Sequence, residues 1–369
     1  GTVKVFSAPS PPDVDEFHDE SGTDESESSN DTYCATSDFY QNSTAPITVS
    51  AGFADASITE PDTSSSGGEG GENTFTVPSG LTSLNMFVWG SGGSGGNHPQ
   101  SGGGGGGGYA EGTLAVTGCQ SLKVIVGEGG GVGGTREGGS GGIHPAASTY
   151  PGSRGGGDGA GESEGMGGGG LSGVAAANMN APGVTAPQIY IIAGSGGGGA
   201  MQPSAKHSRG GSGGGLTGKV APGPAQTSTV DYFGGGGDQE QGPNTAGQSG
   251  GFLYGGDASS GGGGGSGFYG GGGGNQFGPD NGGGGGGGSS YYGHPQITSG
   301  STDAGNHQTP GGPYGEDVSE GGGIGKPNYV PGTNEGGCTQ AAGENGYVLL
   351  TACQAGVATS STIISTAFA

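Results

Sequence analysis

Seven runs of four or more consecutive glycines, at 102–108, 167–170, 196–199, 234–237, 261–265, 270–274 and 282–288, set the problem this chain must solve. A glycine run has no side chain to bury, and glycine loses more backbone freedom on ordering than any other residue. Such runs are either flexible linkers or segments held by their own backbone groups. A polyglycine II helix has three residues per turn and a rise of about 3.1 Å, so a seven-residue run spans roughly 22 Å with every N–H and C=O directed outward. Those groups are satisfied only if several helices lie side by side, and only glycine permits the close approach this requires.

The residues between the runs favour the ordered alternative. Turn-forming pairs such as His98-Pro99, His144-Pro145 and His294-Pro295, with Pro279-Asp280-Asn281, let the chain pass back and forth. Apolar segments interrupt the glycine at Leu84–Trp89, Leu114–Val116, Leu122–Val126, Ile189–Ile192 and Tyr347–Leu350, each reading as a strand. Pairing the first with the last would close residues 73–353 into one domain. About one residue in three there is glycine, without the strict three-residue register of collagen. Tyr109, Phe233, Phe268, Tyr269, Tyr291 and Tyr292 sit at run ends, where they are expected to cover the edges of a bundle.

Outside that domain the chain changes character. Residues 1–72 form an acidic arm holding 15 of the 32 carboxylates and one of the 8 basic residues, with one alternating stretch from Ile47 through Val49 to Phe53. Residues 354–369 are an uncharged, β-prone tail containing Val357, Ile363, Ile364 and Phe368. A net charge of −24 argues against nucleic acid and anionic lipid as partners. No apolar run approaches 18 residues and no signal peptide is evident, so a mature exported form without membrane insertion is expected. Cys34, Cys119, Cys338 and Cys353 lack CxxC spacing and read as disulfide candidates with three possible pairings. Asn30 and Asn42 begin N-glycosylation sequons.

Catalytic patterns do not rise above background. G-x-S-x-G matches around Ser94, Ser140 and Ser212 are expected by chance in so much glycine, and none has a strand-to-helix setting. The same applies to G-x-G-x-x-G, which lacks a βαβ unit. His18, His98, His144, His207, His294 and His307 are scattered, without the short regular spacing of a metal site. Asp13, Asp15, Glu16, Asp19 and Glu20 lack the glycine and final glutamate of an EF-hand loop. The reading is therefore of a non-enzymatic protein with no cofactor and no metal.

Phe75-Thr76-Val77-Pro78-Ser79-Gly80 followed by Leu84–Trp89, Gly108–Leu114 running on to Val126-Gly127, Ile189–Ala193 leading into 196–199, and Asn345–Leu350 together resemble a known pattern. It is the glycine-rich domain of the anaplastic lymphoma kinase and leukocyte receptor tyrosine kinase ectodomains, found also in some phage tail-fibre adhesins. The resemblance covers residues 73–353. It implies a mainly β fold, a tumour-necrosis-factor-like β-sandwich or jelly roll framing polyglycine helices, with little or no α-helix. It does not extend to a kinase segment or to receptor ligand contacts, and fold alone does not transfer function.

Two functions follow as expectations. One is a self-associating extracellular subunit of a fibre, sheath or surface layer, whose terminal segments, including Ile47, Val49, Phe53 and the tail, add strands to neighbours. The other is an adhesin or ligand-binding module that recognises a surface glycan or receptor through loops such as Tyr232-Phe233. An ice-binding bundle is less favoured because of the long insertions.

Overall fold

The computed structural model describes residues 47–52, 71–77, 81–99, 101–131, 155–159, 165–177, 185–200, 208–222, 232–243, 247–278, 281–306 and 319–352. They build a mainly β protein with two antiparallel sheets. One sheet is formed by β1 (Ile47–Gly52), β3 (Ser83–Trp89), β4 (Tyr109–Ala115), β10 (Ile297–Asp303) and β11 (Tyr347–Ala352), in the order β1-β11-β3-β4-β10. The other has the order β2-β5-β6-β7, from β2 (Gly71–Thr76), β5 (Ser121–Val126), β6 (Ser172–Ala176) and β7 (Ile189–Ala193). A short hairpin joins β8 (Gln276–Gly278) to β9 (Asn281–Gly282). Among the described residues the helical content is one 3-10 turn, Ala186–Gln188.

The alternation of side chains along the strands produces the layer between the sheets. Leu84, Met86 and Val88 of β3 face inward with Ala110 and Leu114 of β4 and Val348 and Leu350 of β11. Leu122, Val124 and Val126 of β5, Val174 of β6 and Ile191 of β7 meet them from the other sheet. The expected pairing of the first and last apolar strands is present: β3 and β11 run antiparallel, from Tyr347 opposite Trp89 to Thr351 opposite Asn85. β1 pairs with the other side of β11, Ile47 opposite Ala352, so the strand expected within the acidic arm is the edge of its own chain's sheet.

Apart from the short β8–β9 hairpin, two strands were not legible beforehand. β6, Ser-Gly-Val-Ala-Ala, is short and built of small residues, yet it is buried between β5 and β7. β10, Ile-Thr-Ser-Gly-Ser-Thr-Asp, carries no apolar alternation because it is an edge strand, and its register shifts between Thr298 and Ser301, where Ser299 has a φ of 54°.

All the central strands meet glycine or a small-residue segment at one end of the sandwich. Gly90 follows β3, Gly108 precedes β4, Gly127 follows β5, Gly194 follows β7 and Gly346 precedes β11. The glycine segments therefore form an array on one pole of the sandwich. Two aromatic collars seal that junction. Trp89, Tyr109 and Leu349 lie on the outer face of the first sheet against Phe87, Tyr329 and Tyr347. Ile125, Leu171, Ile189, Ile192, Leu253 and Phe268 cover the outer face of the second, where Phe268 stacks on Tyr291 at 3.9 Å with a 7° interplanar angle. Burial on both faces explains why every residue of β7 is inaccessible.

Candidate functional site

The segment 194–200, which continues β7, is the centre of the glycine array. The N–H groups of Gly196 and Gly199 donate to Ser91 and Ser94, those of Gly197 and Ala200 to Gly211 and Ser208, and those of Ser195 and Gly198 to Ser266 and Gly263. Its carbonyls accept in return. Gly194, Gly197 and Ala200 accept from Gly108, Gly105 and Gly102; Ser195 and Gly198 from Gly288 and Gly285; Gly196 and Gly199 from Gly169 and Met166. All of these bonds measure 2.7–3.2 Å. Residues three apart always address the same neighbour, so the segment has six partners, three that receive its protons and three that supply them.

The six partners also bond to one another around a closed ring. Gly93 donates to Gly105, Gly210 to Gly103, Gly211 to Gly285, Gly265 to Gly286, Gly263 to Met166 and Ser94 to Gly167. Every backbone group of the central segment from Ser195 to Gly199 is thereby paired without water or side chains, the condition for burying polar backbone. Glycine is forced by distance here: a Cβ at Gly196 would overlap the carbonyl of Gly105, and at Gly197 that of Gly285.

Several serines enter the array where the Cβ fits and the hydroxyl finds a carbonyl. Ser91 Oγ donates to Gly170 O at 2.6 Å, Ser94 Oγ to Gly167 O at 2.9 Å and Ser195 Oγ to Gly169 O at 2.6 Å. Ser94, Ser195 and Ser212 are all completely buried. Ser94 and Ser212, the centres of two G-x-S-x-G matches, are both buried in the array, Ser94 with its hydroxyl on Gly167 O and Ser212 with its hydroxyl unpaired among the described residues; Ser140 lies outside the described residues.

A polar latch that the sequence did not suggest sits on the first collar. Glu111 on β4 accepts from Lys326 Nζ at 2.8 Å, from Ser301 Oγ at 2.7 Å and from Tyr109 Oη at 2.7 Å. Burial works to raise the Glu111 carboxyl, but these three hydrogen bonds outweigh it and hold the group below its ordinary range. The bond to Glu111 raises Lys326, whose ammonium lies 5.0 Å from the Tyr109 ring centroid. Tyr109 is pushed far up by burial and by Glu111. The latch ties the turn-rich segment 323–333 over Trp89, and Tyr329 from that segment lies 6.5 Å from the indole. Burial, with the nearby Glu335 carboxylate, pushes the Tyr329 hydroxyl up to about 12.

Of the residues singled out from sequence, Cys338 carries a free thiol, which departs from its reading as a disulfide cysteine. It lies by Gly95 in the array, whereas Cys119 occupies the β4–β5 turn at the opposite pole. A seven-residue strand of about 20 Å separates them, far beyond the 7 Å Cα limit of a disulfide. Phe233, read as a contact residue, is 2% exposed beneath the array's edge, while its neighbour Tyr232 is 38% exposed. Ile47 and Val49 lie in β1. Cys34, Cys353, Asn30, Asn42, Phe53, Val357, Ile363, Ile364 and Phe368 lie outside the described residues.

Among the described residues no group of three or more His, Cys, Asp or Glu side chains could hold a metal ion. Likewise no described helix is long and apolar enough to cross a membrane. His294 is instead structural, edge-on to Tyr190 at 4.7 Å and accepting at Nδ1 from the Gln296 N–H. No protein-family profile matches the chain, and no curated protein matches it.

Proposed function

We propose that this chain is an extracellular, non-enzymatic structural protein, a self-associating subunit of a fibre, sheath or surface layer. Its glycine segments are read as polyglycine II helices in hexagonal packing, inserted into a tumour-necrosis-factor-like jelly-roll sandwich. The observation that carries this reading is the three-residue period with which segment 194–200 addresses six neighbours. A bundle of that kind is stiff and dry, properties of a building element.

The route to assembly is suggested by the opposite pole. Ile47 pairs with Ala352, so β1 begins and β11 ends side by side at the pole away from the glycine array. β1 is an edge of its sheet, and an edge presents a row of backbone donors and acceptors to a further strand. The uncharged tail with Val357, Ile363, Ile364 and Phe368 has the composition of such a strand. Export is favoured by the sequons at Asn30 and Asn42.

Negative-stain electron microscopy of the native material, with intact-mass analysis, tests the proposal. Ordered filaments or layers, with mass above the 34.7 kDa chain, support a glycosylated assembly subunit. Monodisperse particles that bind a glycan or receptor would replace it with the adhesin reading.

A further inference from the structure

Among the described residues the glycine array is unfinished on one flank, formed by residues 216–222 and 232–240. There Gly218 N–H donates to Gly237 O at 2.8 Å and Ala221 N–H to Gly234 O at 2.9 Å. Gly234 and Gly237 donate inward, to Gly284 and Gly287. With three residues per turn, the N–H groups of Gly235 and Gly236 must then point one third and two thirds of a turn away. Among the described residues neither has a backbone acceptor, and both glycines are partly exposed.

Three of the five exposed large apolar side chains of the described chain belong to this flank: Leu216 at 45%, Val220 at 53% and Tyr232 at 38%. Its described charges are Lys219, Asp238 and Glu240, close to balance on a chain of net charge −24. A strongly acidic protein repels its own copies at most faces, and this is a face where that repulsion is small. The Gly235 carbonyl already accepts from Gly272 N–H at 2.9 Å, whereas Gly236 has both its N–H and its C=O without a backbone partner among the described residues, so the surface offers a donor and an acceptor together and complements itself.

We infer that this flank is a self-association surface that receives the same flank of a second copy of this chain about a two-fold axis, an inference resting on the polyglycine II reading. The two copies place glycine backbone against glycine backbone at the centre and Leu216, Val220 and Tyr232 around it, with Lys219 of each copy facing Asp238 and Glu240 of the other. The resulting contact is lateral to the bundle and separate from the pole bearing β1 and the end of β11.

Sedimentation equilibrium of the full chain at 0.15 M salt, compared with the Leu216→Asp/Val220→Asp double variant, tests it. Both positions are exposed, so the variant folds, and unchanged emission from Trp89, the one tryptophan, verifies that. The expected result is a mass twice that of the 34.7 kDa chain, with dissociation at least about tenfold weaker-binding in the variant because unpaired carboxylates are buried. A wild type that stays monomeric, or a variant that dimerises equally, overturns the inference. Negative stain of the same samples separates the two readings: filaments from a chain whose flank variant changes nothing overturn the lateral contact and leave the fibre standing.

Discussion

Replacing Gly197 with alanine is the smallest change that tests why the glycine runs exist. The added Cβ would overlap the carbonyl oxygen of Gly285, so segment 282–288 must move away from segment 194–200. Those two segments are joined by bonds from Gly285 N–H to Gly198 O and from Gly288 N–H to Ser195 O, both 2.9 Å. Leaving buried backbone groups unpaired costs about 1–3 kcal/mol each, so losing both bonds destabilises by about 2–6 kcal/mol. The reduced freedom of the unfolded chain offsets only about 0.4–1 kcal/mol of that. The net loss, about 1–5.6 kcal/mol, is a sizeable fraction of the about 5–15 kcal/mol that holds a typical domain. Gly325→Ala is the control, because a Cβ there meets nothing within 4 Å and φ is not in the left-handed region. Urea titrations followed by Trp89 fluorescence should show a lower midpoint at unchanged slope for Gly197→Ala and a wild-type or slightly higher midpoint for Gly325→Ala. A Gly197→Ala midpoint within about 0.5 kcal/mol of wild type, on the scale of a surface substitution, would refute the close-packing argument.

Further substitutions test the collar and the serines. Glu111→Gln or Lys326→Met should cost about 1–2 kcal/mol by urea titration, since a charge-assisted bond on a partly exposed site is lost. Because Glu111 is lowered in the folded state, its contribution is complete above its ordinary value of 4.5 and disappears as pH falls through the lower folded value; Lys326, raised, contributes below its ordinary 10.5 and is lost as pH rises past the folded value. Trp89 emission across pH 2–6 should therefore shift in wild type and flatten in Glu111→Gln. Gly323→Ala places a side chain at a φ of 74° against Tyr109 and Trp89, and a loss of about 1–3 kcal/mol with altered near-ultraviolet circular dichroism is expected. Ser195→Ala should cost only about 0.5–1.5 kcal/mol in the same titration, because the carbonyls of Gly169 and Ser266 keep their backbone donors.

What was legible in the sequence was whatever depended on local pattern. Leu84–Trp89, Leu122–Val126 and Tyr347–Leu350 alternate or run apolar over a strand's length, and each is a strand. The closing pair β3–β11 followed from their positions at the two ends of the glycine region. β6 and β10 escaped because a strand of small residues between two neighbours, or a polar strand at an edge, is fixed by its partners rather than by its own periodicity. The six-fold arrangement around 194–200 could not be read in advance either, since one glycine run looks like another; the distinguishing fact is that this one continues the fully buried β7. Glu111 and Lys326 stand 215 residues apart, a separation over which no local spacing carries information. The even cysteine count was misleading for Cys338, because a count says nothing about which pole of the sandwich each cysteine reaches.

Amide hydrogen exchange of the native protein, resolved to individual glycines, tests the central claim most directly. If the glycine runs are the core, the amides of Ser195 to Gly199 exchange only by global unfolding, as slowly as those of Ile191 and Val348 in the sandwich. Exchange of those glycine amides at the rate of a solvated glycine–serine linker, with the strands still protected, would contradict it.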